Sequence, residues 1–61
     1  MDEKLHEIDA RALRLGLTLS ALADRAGVSS STMAKLRKGQ PVRPRPVNKL
    51  IAKLEEMEQA A

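Results

Sequence analysis

Residues 22 to 39, LADRAGVSSSTMAKLRKG, set a glycine and three serines between two short segments of helical apolar spacing. Leu22, Ala23 and Ala26 precede the break; Met33 and Leu36 follow it. The spacing predicts one short helix over about 19–26 and a second over about 29–38. A turn this tight between two helices is an αα corner. Gly27 supplies the positive φ that the corner needs. Ala23 is small enough for the second helix to cross close above it. Thr18 is the expected N-cap of the first of these helices and Ser29 of the second. One cap is sufficient, so Ser30 and Ser31 can point elsewhere.

The flanks extend the pattern. Leu5, Ile8, Ala12 and Leu15 predict an opening helix over about 3–15, closed by Gly16. Acids in its first turns and Arg11 and Arg14 in its last suit the helix dipole. Gly39 stops the third helix. Val47, Leu50, Ile51, Leu54 and Met57 predict a final helix over about 46–59. The expected fold class is therefore all-α, a small bundle of about four helices, in a single domain over 1–61. The chain has no cysteine and no aromatic residue, so its core must come from Leu, Ile, Val, Met and Ala. A domain of this size buries a low fraction of its unfolded surface and is marginal. The positions 47, 50, 54 and 57 alternate by three and four, like a short coiled-coil seam. Most of that stripe closes the chain's own core. Leu54 and Met57 lie beyond what three short helices readily cover, and are expected to form a two-fold contact in a homodimer.

Charge is distributed unevenly along the chain. Residues 2–9 carry four acids and one base; residues 11–53 carry ten bases and one acid, Asp24; Glu55, Glu56 and Glu58 follow. So dense a cationic stretch attracts polyanions, and nucleic acid is the expected partner class. Catalysis is not expected: there is one histidine, no cysteine, no tyrosine and no clustered acid in the cationic centre. His6 stands alone and reads as a surface residue, so no metal or other cofactor is implied. No small-molecule ligand is expected. The apolar runs are far shorter than the roughly 20 residues of a membrane span, and no signal-peptide pattern opens the chain. The expectation is a cytoplasmic protein.

The set Leu22-Ala23, Ala26-Gly27-Val28, Met33 and Leu36 resembles the helix-turn-helix of the Cro and phage-repressor family, the xenobiotic-response-element type. "LGLT" at 15–18 is similar to that family's exit from helix one and cap of helix two. "KGQPVRPRP" at 38–46 is similar to the glycine and basic loop after its recognition helix. The resemblance covers about residues 8–54. It implies a lambda-repressor-like fold and a prokaryotic or phage-encoded, sequence-specific regulator that binds double-stranded DNA, such as a small repressor. The sequence departs from the pattern in three ways, one being that 61 residues leave no room for the fifth helix that commonly completes the family's domain and its dimer contact. Leu19 stands where members often open helix two with a polar residue. The basic–acidic pair that members often place between helix one and the recognition helix maps to Ala12 and Arg37, so it is absent.

The resemblance puts the helix over about 29–38 in the major groove, its N-terminal part toward base edges. With Met33 and Leu36 facing the core, Ser30, Ser31 and Lys35 are the expected base contacts. Thr18, Ser29, Arg37 and Lys38 are expected at phosphates. In "RPRP", Arg43 and Arg45 alternate with Pro44 and Pro46, which predicts a stiff, extended segment. Its two cations would reach the backbone or the minor groove. The alternative is a protein-interaction module on the same fold, of antitoxin type, whose cations meet an acidic partner.

Overall fold

The computed structural model describes residues 3–60. Four helices follow in order: α1 Glu3–Arg14, α2 Leu19–Ala26, α3 Ser30–Arg37 and α4 Pro44–Ala60. Among the described residues there is no strand, and no helix is long and apolar enough to cross a membrane. The expected all-α class and its four helices are therefore observed. The boundaries agree within about two residues for every helix.

Each of the first three helices ends in the same way. The amide of Val28 donates to the Ala23 carbonyl at 2.9 Å, and that of Gly27 to the Asp24 carbonyl at 3.3 Å. These two bonds make a Schellman closure. It requires a left-handed residue, and Gly27 has φ of +76°. A Cβ there would meet nothing within 4 Å, so the backbone angle rather than space demands glycine. Gly16 and Gly39 close α1 and α3 with the corresponding pairs of bonds. At the other ends, Thr18 Oγ1 accepts from the Ala21 amide at 3.1 Å and Ser29 Oγ from the Thr32 amide at 3.3 Å. Both expected caps are in place, and α2 and α3 are consequently held to eight residues each.

The core is one cluster drawn from all four helices and the corner. Leu5, Ile8 and Ala12 of α1, Leu19, Leu22 and Ala23 of α2, Val28, Met33 and Leu36 of α3 and its turn, and Leu50 and Leu54 of α4 are buried. Helix α4 packs on α1 and α2, and α3 packs on α2. Val42, Val47, Ile51 and Met57 are half-buried at the edge of this cluster. Ala12 is fully buried in this cluster.

Two expectations need correction. Leu54 was expected at a contact between copies, but its side chain is 0% exposed. It completes the protomer's own core together with Leu50, because α4 lies along both α1 and α2 and covers more of its stripe than three short helices would. Arg43 to Arg45 was expected to be extended, with the final helix opening at about Pro46, yet α4 begins at Pro44. Pro44 and Pro46 occupy the first and third helical positions, where an amide has no intrahelical acceptor. The fixed φ of proline suits a helix start, and the missing N–H groups remove no bond. Arg45, which precedes a proline and would favour extended backbone, is drawn into the helix with them. Only Arg43 is left in the loop.

Candidate nucleic-acid interface

The three serines separate into different roles. Ser29 caps α3, and its hydroxyl also donates to Thr32 Oγ1 at 2.9 Å. Ser31 Oγ lies 3.2 Å from Ser29 Oγ, so it turns back toward the cap. Ser30 is exposed in the first turn of α3. It borders a small depression of about 100 Å³ between α2 and α3, which Ser20, Asp24 and Arg37 also line. Lys35 is exposed, while Met33 and Leu36 are buried, as the spacing predicted. Helix α3 thus has one buried and one polar face. Ser30 and Lys35 are exposed on it with open hydrogen-bonding capacity, and Ser31 shares its hydroxyl with the cap.

Arg37 does not extend freely from the end of α3. Its guanidinium donates to Ser20 Oγ of α2 at 3.0 Å. The bond crosses the corner and ties the two short helices together. Sequence reasoning placed Arg37 at phosphate and did not single out Ser20. The partner is 17 positions away, a separation that no local spacing reveals.

The cations from Lys35 to Lys49 have no acidic partners. Among the described residues the two ion pairs are Arg11–Glu58 and Lys53–Glu56. Lys35, Arg37, Lys38, Arg43, Arg45 and Lys49 are all exposed, and none is paired with a carboxylate. Thr18 and Ser29 are exposed at their helix starts, with Lys38 at the end of α3 and Arg43 in the loop. The six cations lie on α3, the α3–α4 loop and the first two turns of α4.

A concavity of about 210 Å³ lies between the start of α3 and the start of α4. Ser29 and Thr32 form one wall, and Arg45, Pro46 and Lys49 the other. No carboxylate lines it. Thr32 and Lys49 were not among the residues expected from sequence. The signal for Lys49 was present in its spacing: four residues after Arg45, it falls on the same helix face once the prolines are read as helical.

Met57, the other residue expected between copies, is half-buried against the core. Among the described residues, the exposed large hydrophobic residue is Leu13, 62% accessible on α1.

Between α1 and the last turns of α4, charge is paired within the molecule. Arg11 grips Glu58 through two guanidinium nitrogens, one of them Nε donating at 3.0 Å. That hydrogen bond, with the attraction behind it, holds the Glu58 carboxyl below the usual carboxylate range, against a smaller desolvation effect. It raises the Arg11 guanidinium in turn.

Compared with protein-family models, with curated proteins and with solved structures, the chain finds no match in any of the three.

Proposed function

We propose that this protein is a sequence-specific, double-stranded DNA-binding regulator of the Cro and phage-repressor type, working in the cytoplasm. One observation carries the reading: six consecutive cations from Lys35 to Lys49 stand exposed without a carboxylate partner, around a capped two-helix corner. A surface adapted only for solubility would intersperse both signs. Here the acids are confined to the two tips of the sequence and Asp24.

In this reading α3 enters the major groove, where a helix fits and its first residues approach base edges. Ser30 and Lys35 read bases, Lys35 by donating to guanine oxygen and nitrogen. Ser31 contributes only by sharing a hydroxyl already turned to Ser29. Lys38, Arg43 and Arg45 neutralise phosphates, with Thr18 donating at the start of α2, while the Ser29 proton is already given to Thr32 Oγ1. Arg37 fixes the corner through Ser20 before it serves any phosphate. The proposal includes a two-fold dimer on a near-palindrome, with half-sites about one helical turn apart. Of its expected seam only Met57 retains accessible surface.

Binding to random duplex and to genomic fragments, each over a range of salt concentrations, tests the reading. Neutralising about five phosphates per protomer gives a log–log salt slope of about −4 to −5. Genomic fragments containing the operator should bind more tightly than random duplex at every salt concentration. The reading fails if no duplex binds at low salt. An acidic protein partner would then be the explanation for the cations.

A further inference from the structure

The concavity between α3 and α4 has a donor set that the base-reading face does not use. Arg45 and Lys49 are one turn apart on α4 and border it from one side. Ser29 and Thr32 border it from the other. Their hydroxyls are already ordered: Ser29 donates to Thr32 Oγ1, so Thr32 keeps its own proton for a further acceptor. No such acceptor is present among the described residues. The space is therefore bordered by side chains that carry a guanidinium, an ammonium and a hydroxyl with a proton to give, and by no carboxylate.

We propose that Thr32, Arg45 and Lys49 form a seat for one phosphate group, and that its occupant is a backbone phosphate of the bound duplex. This rests on the DNA-binding reading above. A guanidinium can grip two oxygens of the anion, and an ammonium serves as a compact point charge beside it. The seat works through side chains. Pro44 and Pro46 remove two of the amides that the start of α4 would otherwise offer to an anion. Its location gives it a role beyond affinity. Thr32 belongs to the same first turn of α3 as Ser30, so a phosphate held there sets how deeply that turn enters the groove. Lys49 thereby becomes a positioning cation for base contacts it does not make.

Lys49→Gln and Thr32→Val test the seat, read by duplex binding over a salt series, melting temperature and amide spectra of the labelled protein titrated with inorganic phosphate. For Lys49→Gln the expected result is a slope shallower by about one and a several-fold loss on random duplex, with a larger loss on the specific duplex because the base contacts lose their positioning. Its melting temperature should stay at the wild-type value, since Lys49 is exposed and unpaired. Thr32→Val should weaken binding a few-fold without changing the slope, because it removes a neutral donor. Inorganic phosphate should shift the Thr32 and Lys49 amides in the wild type and not in Lys49→Gln. If the wild type binds duplex and Lys49→Gln matches it in slope and affinity, the seat is overturned and the DNA reading stands. If the wild type binds no duplex, the DNA reading falls. Phosphate-induced shifts confined to the seat would then keep it as a site for phosphate of another origin, and their absence would remove it.

Discussion

The two halves of α4 follow opposite rules. From Pro44 to Lys49 the helix presents exposed cations that pair with no acid. From Leu50 onward it carries two fully buried leucines, an ion pair to α1 and a second pair within its own turns. One half leaves its cations available, and the other pairs its one cation, Lys53, and two of its acids, Glu56 and Glu58, within the molecule. A helix so divided teaches that charge content alone does not identify an interface. Lys53 and Arg11 are as cationic as Arg45 and Lys49, but they already have partners. Substitutions along this one helix should therefore separate folding from binding.

The largest effect is expected at the core of the second half. Leu54→Ala should cost about 2–5 kcal/mol, as deletion of a fully buried leucine does. Leu54→Asp adds the burial of a charge and should leave the chain unfolded by circular dichroism at any protein concentration. This sets the core role of Leu54 against the role expected from sequence. Had it been a contact between copies, Leu54→Asp would give a folded monomer in sedimentation.

Smaller effects, on binding alone, are expected around the first half of α4 and on α3. Arg43→Ala should weaken specific and random duplex by similar factors and reduce the salt slope by about one. Lys35→Ala should narrow the gap between operator and random duplex, by about 1–3 kcal/mol if its base contact is a good one. Neither residue is buried, so both variants should melt as the wild type does. The contrast between halves breaks if Lys35→Ala leaves the specificity ratio unchanged while Arg43→Ala collapses it. Recognition would then belong to the loop rather than to α3.

What could be read from the sequence divides along similar lines. The caps at Thr18 and Ser29, the glycine closures and the buried stripe of each helix depend on residues within a few positions of one another. Local spacing carries that information. The helical start at Pro44 was misread because the pre-proline preference of Arg45 pointed to extended backbone, while the tolerance of a helix's first turn for proline pointed the other way. The fate of Leu54 depends on how α4 lies across α1 and α2, which no spacing within α4 expresses. The same holds for the Arg37–Ser20 bond and for the concavity that unites Thr32 with Lys49. Each joins side chains on different helices.

The smallest expected effect concerns the closed electrostatics of the second half. Arg11 lowers the Glu58 carboxyl below its unfolded value. A depressed carboxylate contributes stability that is present above the unfolded value and is lost as pH falls through the folded one. The wild type should therefore hold its melting temperature from neutrality down to the ordinary glutamate range and lose part of it below. Glu58→Gln removes the titrating group. It should melt slightly lower than the wild type at neutral pH, and the two curves should converge in acid. Both partners lie at the surface, so the difference is small and shrinks further in high salt. Duplex binding at neutral pH should be unaffected, because Glu58 faces Arg11 and not the unpaired cations between Lys35 and Lys49. A change in salt slope for Glu58→Gln would show that the two halves of α4 are electrostatically coupled after all, and that Arg11 belongs to the cationic surface once its partner is removed.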